Sequence, residues 1–411
     1  MKPAIAVILS VACSEPAPLP PRLTDTYFPP PDSDTGSALG CPVEGIGDLN
    51  VGMDGFDALE TWIESPSVEI FSADGTSYSV TTAGLNHVGI PVGEYTLHAS
   101  RGVIDPDPGA RSGHLWTAER PIRRVCVGVG EDIDVDFVWE EHLFSGSIVA
   151  AVANQAVGFN LDQIDAGAAN AYALAASGNI SGIAVDHFGI TWAAVDVGGH
   201  PELNDLTGDI ERWLASNVGV TTAVDLVVDA ENNLLMLADG PDFVGIAKWT
   251  PQSRSDGILD DTSPQPDLIP IATIHPKSMI LDDDGTPRIA EDSGRVLLVD
   301  VNGYIVAQID PTVGGDPKTG LEAIAPDGNN LWGLWADDTI GSFIAGVGAR
   351  EVDPLLTADD ASVGLGVDAT GAVWWIQQGV AEGKVTRYQD GIVSVPFVHE
   401  TLDLATEMWV W

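Results

Sequence analysis

Five aspartates, Asp186, Asp229, Asp282, Asp327 and Asp368, each end one short apolar run and open the turn into the next, at intervals of 43, 53, 45 and 41 residues. The last copy is the clearest. Gly364-Leu365-Gly366-Val367-Asp368-Ala369-Thr370-Gly371-Ala372-Val373-Trp374-Trp375-Ile376 reads as strand, Asp/Gly turn, strand, and Gly383-Lys384-Val385-Thr386-Arg387-Tyr388 adds a third strand. Earlier copies run from Ile183-Ala184-Val185-Asp186 into Gly189-Ile190-Thr191-Trp192, and from Leu226-Val227-Val228-Asp229 into Leu235-Met236-Leu237-Ala238. An acid that returns at every first hairpin has a structural role, because an aspartate in a turn accepts hydrogen bonds from its own turn backbone. Helical periodicity is nearly absent, and the 45 glycines and 27 prolines of the 411 residues suit turn-rich β structure.

A period of this length belongs to units of four strands arranged radially, the blades of a β-propeller. The repeat region, residues 144–411, ends in half-repeats that complement each other. Asp403 to Trp411 matches the first two strands of a blade, while Gly146 to Val152 and Val157 to Leu161 match the third and fourth. Joined, they make a sixth blade and close the ring, which removes exposed sheet edges. Paired tryptophans such as Trp374 and Trp375 alternate onto opposite faces of their strand and fill the wedges between blades. A carbohydrate-stacking platform is the minor alternative for them.

Residues 40–141 form a separate unit of short alternating strands. Val68 to Ser72, Tyr78 to Thr81 and Tyr95 to Ala99 each end at a turn signal, and Asp132-Ile133-Asp134-Val135-Asp136-Phe137-Val138-Trp139 alternates acid with apolar residue, placing one face in a core. The expected fold is therefore all-β: an Ig-like β-sandwich followed by a six-bladed β-propeller. Cys41 and Cys126 lie at the two ends of the first unit, and in an exported chain such a pair reads as a disulfide, stabilising by about 4 to 5 kcal/mol in the chain-entropy view. Export is expected from residues 1–12, where Lys2 precedes an apolar run too short to span a bilayer. Residues 13–39, rich in proline and aspartate, read as a tether.

The chain carries 17 Lys+Arg against 61 Asp+Glu, a net charge of -44. That balance repels phosphate backbones and excludes nucleic acid as a partner, while cationic partners and divalent ions stay open. The eight histidines include no H-x-H or H-E-x-x-H, and there is no G-x-S-x-G elbow and no phosphate-binding glycine loop.

Three resemblances add expectations. Leu9-Ser10-Val11-Ala12-Cys13 resembles a lipobox, which implies acylation of Cys13 and attachment to a membrane through lipid chains alone; Ser14 after it fits the outer membrane better than the inner. Gly89-Ile90-Pro91-Val92-Gly93-Glu94-Tyr95-Thr96-Leu97-His98-Ala99 resembles an element of carboxypeptidase-regulatory-like β-sandwich domains, which serve as spacers or binding modules. The repeat resembles six-bladed propellers of the NHL, streptogramin-lyase and gluconolactonase type, a fold that hosts binders, scaffolds, lyases and lactonases. Counting back from the turn acids puts Gly182, Asp225, Ser278, Glu322 or Ala323, Gly364 and Asp403 at the entrances of the innermost strands. The gluconolactonase resemblance makes Asp225, Glu322 and Asp403 candidate ligands for Ca2+ or another divalent cation, although the asparagines that accompany such acids in that family are not found at matching entrances. Lys277 and His275 are placed to neutralise the acids instead. The expected function is an exported, lipid-anchored binding or scaffold protein with a protein or carbohydrate ligand; the alternative is a metal-dependent hydrolase, lactonase or lyase working at the channel mouth.

Overall fold

A computed structural model describes residues 45–56, 62–72, 76–104, 114–118, 121–142, 145–165, 171–206, 211–213, 220–250, 266–273, 275–282, 284–357, 361–368, 370–379 and 382–410. The expected signal, the lipidation site Cys13, the tether and Cys41 lie outside them.

The first ten described strands form two sheets. A six-stranded sheet runs in the order Trp62–Glu64, Gly102–Ile104, His114–Ala118, Asp132–Glu141, Ile46–Asp54, Gly84–Pro91, and a four-stranded sheet runs Ser77–Val80, Val68–Ser72, Gly93–Ala99, Ile122–Val127. Ile46–Asp54 pairs with Asp132–Glu141 in parallel, Leu49 opposite Ile133, and with Gly84–Pro91 in antiparallel. The acid/apolar alternation of Asp132–Glu141 does what its period requires: Val135, Phe137 and Trp139 are buried and Asp132, Asp134 and Asp136 exposed. Those three join Leu49, Val51 and Met53 from the same sheet and Val68, Ile70 and Leu97 from the other in one core.

Among the described residues, the chain from Ser147 onward forms six further sheets, each with an innermost strand. These inner strands are Asn179–Val185, Thr222–Val228, Pro276–Leu281, Leu321–Asp327, Ser362–Val367 and Ala405–Val410. Each packs against the next, and Ala405–Val410 packs against both Ser362–Val367 and Asn179–Val185, so the series returns on itself as in a β-propeller. Trp374 and Trp375 enter different hydrophobic clusters on the two faces of Val373–Gln377, each fully buried.

Glycine makes the tight inner packing feasible. A Cβ on Gly182 would lie 2.4 Å from Leu226 N, and one on Gly364, which holds φ +63°, would lie 2.4 Å from Met408 N. No other residue permits that approach without moving backbone.

The closing sheet corrects one expectation. Its order is Ala171–Ala175, Gln155–Asn160, Ser147–Val152, Ala405–Val410, so the C-terminal segment gives one strand and the start of the region gives three, not two and two. Glu400–Leu404 is a 3-10 helix opened by His399, whose side chain accepts from Thr401 N. Asp403 therefore stands on a helical turn before the inner strand, not at its entrance.

Candidate functional site: the axial channel

The repeated turn acids hold the hairpins. In Asp186 one carboxylate oxygen accepts from Phe188 N and Ile190 N, at 2.9 and 3.1 Å, and the other from Trp192 Nε1 at 3.0 Å. Asp368 repeats this with Thr370 N, Ala372 N and Trp374 Nε1. Asp327 takes Trp332 Nε1 at 3.1 Å, while Asp282 takes Arg288 Nε and Asp229 takes Asn233 Nδ2 in the tryptophan's stead. Where the second strand carries a tryptophan near its start, at Trp192, Trp332 and Trp374, that ring is thus held by its own turn acid.

The inner strands share a second device. Register shifts interrupt their pairing near the start, between Ile180 and Gly182, Ala223 and Asp225, Pro276 and Ser278, Leu321 and Ala323, and Val363 and Gly366. The closing sheet has its shift where Ala405 and Glu407 face Val152 and Ala151. A bulge adds a residue and re-aims the side chains beyond it. The residues just past the shift are Gly182, Asp225, Ser278, Ala323, Gly366 and Glu407; Asp225, Ser278, Ala323 and Gly366 line the axial cavity, and Gly182 abuts its wall at Asp225 and Leu226.

Asp225 is buried, its Oδ1 accepting from Leu226 N at 2.8 Å and its Oδ2 from Met279 N on the neighbouring inner strand at 2.7 Å. Burial pushes its pKa up from 3.8 to about 7, against the hydrogen bonds from Met279, Leu226 and Ser278 that favour the charge. Glu407, whose Oε1 accepts from Met408 N at 3.4 Å, is pushed up to about 8 by burial, with the charges of Asp225 and Glu322 adding to the rise. Glu322 falls on the bulge itself and takes Lys277 Nζ at 3.0 and 3.2 Å. Both side chains are about one-third exposed, so this pair adds little stability. His275 lies 3.6 Å from Asp239.

The sequence-derived trio is therefore dispersed in role. Asp225 accepts from two backbone N–H groups, Glu322 accepts from Lys277 Nζ, and Asp403 sits on the 3-10 helix. Among the described residues no group of three or more His, Cys, Asp or Glu side chains is arranged to hold a metal ion. The donor set does not fit the divalent cation that the gluconolactonase resemblance implies.

Arg101, which lines the channel, and Glu407, next to the wall residue Met408, escape the sequence reading. Glu407 was displaced by counting from Asp403; the pair Glu407-Met408 matches Asp225-Leu226, Ser278-Met279 and Ala323-Ile324, and that acid-or-small, then aliphatic, pattern is the signal that finds it. Arg101 has no such signal, because it comes from outside the repeat. Its backbone N donates to His187 O at 2.5 Å and its Nη1 to Val185 O at 3.0 Å, which brings the guanidinium to the channel wall beside His187. Around this contact His98 meets Phe188 edge-on at 4.7 Å and His142 lies 3.0 Å from Thr191 Oγ1.

The cavity so enclosed measures ≈ 390 Å³ and takes wall residues from every inner strand. No protein-family model matches the sequence, and no curated protein matches it. Among solved structures, the chain is similar to one in the crystal structure of a nidogen/laminin complex, at 11% identity and a TM-score of 0.47, covering 64% of this chain and 97% of that one. It is also similar to the Cps50 (Swd1) β-propeller domain of Myceliophteria thermophila, at 12% identity and TM-score 0.40, covering 61% and 87%. Virginiamycin B lyase from Staphylococcus aureus matches at 17% identity and TM-score 0.38, over 52% of this chain and 68% of that.

Proposed function

We propose that this chain is an exported binding protein, lipid-anchored through Cys13 and presenting its ligand site in the axial channel of a six-bladed β-propeller. In this reading the six sheets after Ser147 are the blades. The two sheets before it are an Ig-like sandwich stapled by Cys41 and Cys126, placed between tether and propeller.

The observation that carries the reading is the ≈ 390 Å³ cavity, walled by all six inner strands and by Arg101 and His187. Small-molecule sites are concave, largely apolar and fitted with a few polar groups, and this wall has that composition. A metal-dependent lactonase would need Asp225, Glu322 and Asp403 to converge on a cation, and their hydrogen bonds and positions favour the binding reading instead.

Methionine methyl resonances test it directly. Met279 and Met408 line the cavity, whereas Met53 and Met236 are buried in other clusters and serve as internal references. Titrating a panel of small carboxylates, amines and sugars into protein labelled at the methionine methyls should move Met279 and Met408 and leave the references still. Binding that raises the melting temperature while shifting only the references would place the ligand elsewhere and overturn the reading.

A further inference from the structure

The axial cavity is unlike at its two ends. At one end the wall includes Arg101 and His187, both fixed by the backbone contacts between Arg101 and the segment from Val185 to His187. At the other it includes Asp225 and Ser278, with Glu407 next to the wall residue Met408 and at the register shift of its strand, as Asp225 is of its own. The wall between them is aliphatic, formed by residues such as Ile183, Leu226, Ile324 and Leu365. Gly182 abuts Asp225, and Val185, which takes the Arg101 guanidinium, lies three residues further along the same strand. At about 3.3 Å per residue the two ends are roughly 10 Å apart.

We infer that this cavity takes an elongated zwitterion, its carboxylate held at Arg101, its aliphatic body against the wall, and its ammonium at Asp225 and Glu407. The inference rests on the channel-binding reading above and adds the class of ligand. A guanidinium matches a carboxylate in shape as well as charge. Among the described residues the nearby cations are engaged elsewhere: Lys277 is on Glu322 and within 4.0 Å of Asp292, and His275 faces Asp239. In the free protein, burial keeps Asp225 protonated to about pH 7, and burial together with the charges of Asp225 and Glu322 keeps Glu407 protonated to about pH 8. An ammonium between them offsets both effects, so the acids ionise on binding and release protons. Affinity for an amine-bearing ligand therefore rises with pH through that interval.

Isothermal titration of the full chain with ω-aminooctanoate, octanoate and octylamine separates the possibilities. The zwitterion should bind at least about tenfold more tightly than either single-ended probe, since each charged hydrogen-bonded contact is worth about that factor or more. Arg101→Gln should weaken ω-aminooctanoate and octanoate about tenfold and leave octylamine unchanged. Glu407→Gln should do the reverse and flatten the pH dependence. Should Arg101→Gln disturb folding, His187→Asn probes the same end without touching the Arg101 backbone contacts. Equal affinities for the three probes, with Met279 and Met408 still responding, would sink the zwitterion while leaving the cavity as a binding site. No response from those methyls to these probes or to the wider panel would end both readings.

Discussion

His142 stands where the first two sheets meet the repeat region, its Nε2 3.0 Å from Thr191 Oγ1. Burial, with the Arg101 charge in support, lowers its pKa from 6.5 to about 4. The sign of the consequence follows from which state binds more protons. Between pH 6.5 and about 4 the unfolded chain holds a proton on this histidine and the folded chain does not, so stability falls as pH falls through that window and levels off below it. The shift corresponds to roughly 3 kcal/mol once the group is fully protonated. Urea unfolding across the window should show this decline, and His142→Gln should remove most of it at the cost of a lower plateau near neutrality. A variant with the same slope as the parent would show that other groups, not His142, set the acid response. The turn acids work differently at this scale: Asp186 and Asp368 are buried, each with both oxygens accepting from its own hairpin, so they fix geometry.

Between elements, a residue near the end of the second strand of a sheet, or in the turn after it, reaches the next inner strand. Asp196 Oδ1 accepts from Ala223 N at 3.0 Å, Asp338 Oδ1 from Ser362 N at 2.8 Å, and Gln378 Nε2 donates to Ala405 O at 2.5 Å. Each bond satisfies a backbone group at the start of a strand and sets the neighbouring sheet's height along the axis. Asp338→Ala leaves the Ser362 N–H without this acceptor and should cost about 1 to 3 kcal/mol. Hydrogen exchange should quicken at Ser362–Val367 ahead of the rest of the chain, and uniform quickening would refute a local clamp. Much of this was legible in the sequence. The alternation of Asp132 to Trp139 gave its buried face, and the turn spacing gave five of the inner strands. What stayed hidden depends on register. Bulges shift the inward residue by one without altering composition, so Glu322 and Ala323 could not be told apart, and a C-terminal stretch with no following turn acid let Asp403 stand in for Glu407. Arg101 was hidden for another reason: a contact between distant segments leaves no period to read.

For the whole molecule the decisive feature is that residues 250 or more positions apart share one sheet. Ile148 faces Val410, Val149 faces Trp409 and Ala150 faces Met408, so Ala405–Val410 closes the ring with a single strand. Every residue of Ser147–Val152 is buried, and Met408 packs in the same cluster as Trp374 and Phe159. Deleting residues 405–411 would strip the inner partner from an apolar strand and leave Gly364 and Gly366, shaped for close approach, facing empty space. An unpaired, fully apolar edge invites pairing with other chains. The shortened protein should therefore melt well below the full chain, bind hydrophobic dyes and self-associate in size-exclusion chromatography. A synthetic peptide of residues 400–411 supplied in trans should restore the melting temperature in proportion to its occupancy, because it carries the strand that pairs with Ser147–Val152, from Val410 opposite Ile148 to Ala405 opposite Val152. A shortened chain that stays monomeric and as stable as the parent would mean that the ring does not depend on this strand, and the peptide would then have no effect.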